Sequence, residues 1–157
     1  MGEEILHEIE TRLNSVSDIV IDGGLLLEYF NETATELQNW LNDHVFNDSV
    51  IVRLHGHEIT RAEVYYITCR TLGHDKAKEL VDQMKDYIEF HGEFSITEKA
   101  GQVKCGHSIA LADCFAIATG IFLNCPILFK KEEEMTKQVI SSIQEQFNVS
   151  LLVVPLI

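Results

Sequence analysis

The sequence predicts a single α/β domain with a mostly parallel central sheet flanked by helices. Three observations carry this. Strand signals alternate with helix signals along the chain, the pattern of a parallel sheet covered on both faces. The strand candidates, near 17–22, 50–54, 126–129 and 150–154, are apolar or β-branched. And Ser108 to Asn124, SIALADCFAIATGIFLN, is apolar nearly all round, so it reads as a helix packed between other layers.

In order, residues 3–14 place Ile5, Ile9 and Leu13 on a thin helical stripe, an extra N-terminal helix. Residues 1–16 are therefore read as a helical extension and 17–157 as the domain body. Ser17 to Asp22 is a strand ending in an acid, and Gly23-Gly24 break it. Leu25 to Phe30 begins a helix, and Thr35 to Val45 forms another around Leu37, Trp40 and Leu41. Val50 to Leu54 is a strand, and His55-Gly56-His57 is read as a turn. Thr60 and Glu63 fit a capping box, opening a helix that stops at Gly73. Asp75 is expected to cap a helix over about 76–89. Glu93 to Ile96 is read as a short strand and Thr97 as the cap of a helix to about Cys105. Pro126 to Phe129 is a buried strand. The charged run Lys130 to Glu134 is expected to open a helix reaching about Gln146, before a last strand at Leu151 to Val154.

A length of 157 residues suits one domain with a sizeable core. No apolar run reaches the length of a membrane span, and the N-terminus is acidic, unlike a signal peptide. The four cysteines form no CxxC pair and read as reduced thiols, so a cytoplasmic location is expected. A formal charge of −13 argues against a generic nucleic-acid coat. It leaves room for an enzyme that handles nucleic acid through metal ions.

The chemistry centres on three acids. Asp113 is the one full charge in the apolar run, and a carboxylate there is costly unless something pairs with it. Sites in parallel sheets form beyond the carboxyl ends of the strands. Asp22 ends the first strand, Glu63 lies early in the helix after the second, and Asp113 lies near the start of a helix leading into a third. All three can face one edge. Each also has an ordinary role: strand-end solvation, capping and helix-dipole support. Clustered carboxylates repel one another unless a cation occupies them, and hard oxygen donors suit Mg²⁺ or Mn²⁺.

Three segments, DIVIDGGLLLEYF at 18–30, ITRAEVYYITCR at 59–70 and SIALADCFAIATGIFLNCPILF at 108–129, give the chain a resemblance to the PIN domain, in particular the VapC-type toxin ribonucleases of prokaryotes. The resemblance covers about 17 to 135. It implies metal-binding and catalytic roles for Asp22, Glu63 and Asp113, an Mg²⁺ or Mn²⁺ cofactor, and hydrolysis of RNA phosphodiester bonds by metal-activated water. It also implies a small antitoxin partner and a homodimer. For a dimer interface the sequence offers Phe30, Trp40, Tyr65, Tyr66, Tyr87 and Phe90, more large aromatics than one small core needs.

Two departures from the family pattern stand out. Gly23 and Gly24 follow the first acid where many members carry a hydroxyl. The place of a fourth acid falls on Lys131, with Glu132 or Glu133 available as auxiliary ligands and Lys130 or Lys131 as phosphate contacts. These favour an alternative: a catalytically weakened PIN-like module that binds a partner or RNA. A third reading is a zinc site drawn from His55, His57, His74, Cys69, Cys105 and His107. Their spacings are poor for joint chelation, and these histidines are expected in turns and at the surface. A Cys–His nucleophile is disfavoured because the cysteines are expected to be buried.

Overall fold

In the computed structural model, which describes residues 2–155 and 157, the chain forms a three-layer α/β sandwich. The elements are α1 (Gly2–Ser15), β1 (Asp18–Ile21), α2 (Gly23–Tyr29), α3 (Glu36–His44), β2 (Arg53–His57), α4 (Glu58–Leu72), α5 (His74–Met84), β3 (Ile88–His91), α6 (Phe94–Gly106), α7 (Leu111–Leu123), β4 (Ile127–Lys130), α8 (Lys137–Phe147) and β5 (Leu151–Val154). The five strands lie in the order β3-β2-β1-β4-β5, and every pairing is parallel. The order turns outward from β1 in both directions, so the switch point lies between β1 and β4, beside the end of β1.

Side chains alternate across the sheet and build a core on each face. Ile19, Ile21, Leu54 and Leu128 join Leu25, Leu41, Val64 and Met84 on one side. Val20, Ile127, Phe129 and Leu151 join Ile96, Val103, Ile117 and Ile143 on the other. The N-terminal helix belongs to the first core: Ile9 and Leu13 are buried there, and the Trp40 indole N–H donates to Glu10 across 2.9 Å. Helix α7 lies close against β4 because Gly120 has no side chain. A Cβ there would stand 3.0 Å from the Cys125 carbonyl and would clash with Ile127.

Several local expectations are corrected. The turn read at His55-Gly56-His57 is the end of β2, and the capping box at Thr60 does not form. Helix α4 begins three residues earlier, at Glu58, where His57 caps it by accepting the Ile59 N–H at 3.0 Å. Thr60 is instead buried on the helix's inner face, in line with Val64 and Thr68. The helix expected to reach residue 89 ends at Met84, and Ile88–His91 forms the edge strand β3. Ile88 suited either reading, since it is apolar and four residues after Met84. Pairing with Leu54 decides for the strand. Residues 94–96, read as strand, open α6. The charged run 131–134 is a loop, and α8 starts where Thr136 accepts the Val139 N–H.

Of the six aromatics offered for an interface, Trp40 is core, and Phe30, Tyr65 and Phe90 pack against the core. Tyr66 and Tyr87 are exposed. The cysteines are unpaired, but only Cys114 and Cys125 are buried. Cys105 is exposed and Cys69 half-buried. No helix among the described residues is long and apolar enough to cross a membrane.

Candidate metal centre at the carboxyl edge of the sheet

Asp22 directly follows β1 and is the N-cap of α2, its Oδ1 accepting the Leu25 N–H at 3.1 Å. Its other oxygen, Oδ2, is buried with no hydrogen-bond partner. Asp113 sits in the first turn of α7, and its Oδ2 is likewise buried and unpartnered. Glu132, on the loop after β4, completes the group: Asp22, Asp113 and Glu132 each bring an oxygen within 4.8 Å of the others. Glu133 is outside this triad, and Lys131 is exposed beside it. The acid after β4 therefore arrives one residue later than the count from Asp113 suggested.

Glu63 projects from α4 toward the same corner. Its carboxylate abuts Gly23 so closely that a Cβ at residue 23 would collide with Oε1. Gly24 is also tight, since a Cβ there would stand 3.3 Å from both Asp22 Oδ2 and the Lys130 Cβ. The Gly-Gly pair is thus what lets two carboxylates crowd the end of β1. The Lys130 ammonium does not join the cluster. Its ammonium pairs with Glu28 at 3.1 Å, and Glu28 is held in turn by the Thr35 hydroxyl at 2.7 Å.

The electrostatics follow from burial and crowding. Burial pushes the Asp22 carboxyl well above the usual carboxylate range, and the charges of Asp113 and Glu132 add to it. Asp113 is raised to about 7, first by burial, then by Glu132, Glu63 and Glu134. Glu63 is raised by burial and by Glu132. Glu132 is raised by burial and by Glu134, partly opposed by its hydrogen bond with Asp113 and by Lys130. Oxygen donors without partners, in a cluster that resists ionising, fit a hard divalent cation, whose charge would satisfy both buried Oδ2 atoms.

Sequence reasoning missed two contributors. Glu28 has no motif to mark it, and its role depends on a lysine 102 positions away. The space-making role of Gly23 had a signal, a Gly-Gly directly after a strand-ending acid, but its cause sits on α4.

The parallel sheet, its switch point and the carboxylates there define an α/β domain with a candidate site for a divalent cation. The chain belongs to the PIN domain family, whose sequence profile matches residues 19–138. Members of that family are generally nucleases that use divalent metals. Among solved structures the chain is similar to one in the VapBC2 complex from Rickettsia felis bound to a DNA fragment from their promoter. There the TM-score is 0.60 at 13% identity, covering 87% of this chain and 98% of that one. It is also similar to a chain of FitAcB from Neisseria gonorrhoeae (TM-score 0.55, 18% identity, 85% and 96% covered). A third is a toxin–antitoxin complex from Klebsiella pneumoniae (TM-score 0.54, 12% identity, 76% and 91% covered). At these identities the likeness is one of fold. No curated protein sequence matches the chain significantly.

Proposed function

We propose that this chain is a metal-dependent endoribonuclease, the toxin of a toxin–antitoxin pair. The observation that supports it most is the pair of buried, unpartnered carboxylate oxygens, Asp22 Oδ2 and Asp113 Oδ2, gathered with Glu132 at the switch point. A bound Mg²⁺ or Mn²⁺ supplies acidification of a water and offsets charge on the scissile phosphate. Asp22 and Asp113 hold the ion, with Glu132 as an auxiliary ligand in the place of the family's fourth acid. Glu63 orients the attacking water and accepts its proton, helped by a carboxyl whose basicity is raised by burial. Lys131, exposed beside Glu132, contacts an RNA phosphate as a point charge. Lys130 could do so only by releasing Glu28.

The structural neighbours named for toxin–antitoxin complexes support an antitoxin partner for this chain as well. On this reading the protein is a cytoplasmic homodimer, with exposed Tyr66 or Tyr87 among its contacts, and residues 1–16 are an extension docked on the body 17–157. The second reading, a weakened module acting by partner or RNA binding, is favoured by Gly23 and Lys131. It loses ground because Gly23 makes room for Glu63 and Glu132 stands where Lys131 leaves a gap.

The test is cleavage of a structured RNA pool with Mn²⁺ or Mg²⁺, comparing the parent with Asp113→Asn. The parent is expected to cleave and to melt at higher temperature with metal, by mass action. The variant should do neither while staying folded. A parent that cleaves nothing and gains no stability from either metal would overturn the nuclease reading in favour of the binding module.

A further inference from the structure

A second cluster lies on β2 and β3, away from the acids. His55, Glu89 and His91 each bring a ligand atom within 4.8 Å of the others. Both histidines are buried, contrary to the surface placement expected for His55, while Glu89 is exposed. His55 Nδ1 faces His91 Nε2 at 3.0 Å, and Glu89 Oε2 lies 3.7 Å from the same Nδ1. The outer ring nitrogens face carboxylates: His55 Nε2 lies 2.7 Å from Asp18 Oδ1, and His91 Nδ1 lies 3.5 Å from Glu93 Oε1.

We infer that His55, His91 and Glu89 form a binding site for a divalent transition-metal ion of the zinc type, separate from the acid cluster. The tautomers carry the argument. A carboxylate only accepts, so His55 Nε2–H donates to Asp18 and His91 Nδ1–H donates to Glu93. In neutral rings that leaves two bare lone pairs, His55 Nδ1 and His91 Nε2, facing each other at 3.0 Å, a repulsion that a metal cation or a proton between them removes. Metal-bound histidines characteristically donate the second ring N–H to a carboxylate in this way. The size also fits. With metal–nitrogen bonds of about 2.0–2.1 Å and a tetrahedral angle, two ligating nitrogens stand roughly 3.3 Å apart. The pair needs to open by only a few tenths of an ångström. Glu89 supplies a third, anionic ligand from the solvent side, and water a fourth.

Imidazole donors prefer such an ion to Mg²⁺, which keeps to oxygen. The strands supply the rigidity, because His55 and Glu89 are register partners on β2 and β3. An ion here staples the edge strand β3 to its neighbour. The other zinc candidates do not assemble in this way. His74 Nδ1 meets the Tyr65 hydroxyl and the Cys69 thiol, His107 meets the Val103 carbonyl and Ser142, and the His57 ring packs on Phe115. The inference is independent of the nuclease reading.

The test is Zn²⁺ uptake by the tag-free full chain, by competition with a chromogenic chelator in excess Mg²⁺, which competes for the acid cluster, with Asp113→Asn as the control for binding there. Cobalt absorption spectra report the donor set. The parent is expected to take up a single equivalent, with four-coordinate cobalt bands and a raised melting temperature. Asp113→Asn should leave this unchanged. Glu89→Gln, at an exposed position, should weaken uptake about tenfold, and His91→Gln by about 100-fold or more, with Asp18→Asn between them at about 10–100-fold. Should His91→Gln fail to fold, the Glu89→Gln and Asp18→Asn results stand alone. No uptake by the parent, meaning that a proton alone joins the two rings, would overturn the inference. So would uptake that Asp113→Asn abolishes, or that Glu89→Gln and Asp18→Asn leave unchanged.

Discussion

At the carboxyl ends of β1 and β4, Asp22 and Asp113 are buried with one oxygen each lacking a partner. At the β2–β3 edge, every ring nitrogen of His55 and His91 has a polar neighbour within 3.5 Å. Both regions bury ionisable groups, but the first holds like charges and the second sets two facing imidazoles between carboxylates. Like charges leave two escapes, a proton or an external cation, and both depend on conditions. In the second, each imidazole donates outward to a carboxylate, and only the gap between the two rings calls for a proton or a metal ion. The acid edge therefore costs stability in the metal-free protein, whereas the histidine edge needs only one shared proton, or an ion, between its two rings.

The largest expected effect breaks the acid edge itself. Asp113→Asn should lower RNA cleavage by roughly 100-fold or more, about 2.7 kcal/mol of barrier, in single-turnover rates at the Mn²⁺ concentration that saturates the parent. A variant that keeps its rate would remove Asp113 from the proposed site.

The same substitution sharpens the comparison through pH. The Asp113 carboxyl is raised to about 7 in the folded chain from an ordinary 3.8. The folded state thus favours its proton. That stability is fully present below about pH 4 and is lost as pH rises through about 7. Asp22, Glu63 and Glu132 are raised too and act with the same sign. Asp18 and Glu28 are lowered, and their contribution is already complete above pH 5, while His57, lowered by burial, gains stability as pH rises towards its ordinary 6.5 and offsets part of the fall. In chelator, the melting temperature should fall between pH 5 and pH 8. Asp113→Asn should remove much of that fall, on the order of 2–4 kcal/mol at pH 8, and added Mg²⁺ should reverse it in the parent alone. A profile in chelator that is the same for the parent and Asp113→Asn would mean that the carboxylates are better solvated than their burial indicates.

Next in size is Gly23→Ala. The new methyl collides with the Glu63 carboxylate, so the cost is roughly 1–3 kcal/mol in denaturant unfolding, with metal affinity lowered as Glu63 is displaced. Glu132→Gln should cost about tenfold in Mg²⁺ affinity, about 1.4 kcal/mol, by calorimetric titration, with the unfolding midpoint in chelator unchanged or raised. If Lys131→Asp instead improves binding while Glu132→Gln changes nothing, the fourth acid is missing after all. The smallest effect belongs to Glu28→Gln. Breaking its partly exposed pair with Lys130 should cost about 0.5–1 kcal/mol and leave Zn²⁺ uptake untouched.

The chain's own pattern determined the layers. Apolar strands, the all-round apolar helix at 108–124 and the glycine stop at residue 73 are local features, and local physics sufficed to read them. The end of β1 and the early turns of α7 were also readable, so Asp22 and Asp113 could be placed on one edge. Ile88–His91 could not be assigned locally, because its apolar spacing satisfied a helix continuing from Met84 as well as a strand. Pairing with β2 decided it. Glu132 rather than Lys131 entered the acid cluster because a loop, not a helix, follows β4, and a loop can turn any one of several adjacent acids inward. The histidines show the limit most clearly. His55 was noticed, yet its partners come from two other strands, Asp18 from β1 and Glu89 and His91 from β3, and share no spacing with it. Parallel strands are joined through long crossovers, so which side chains become neighbours depends on register, and register is a property of the assembled sheet.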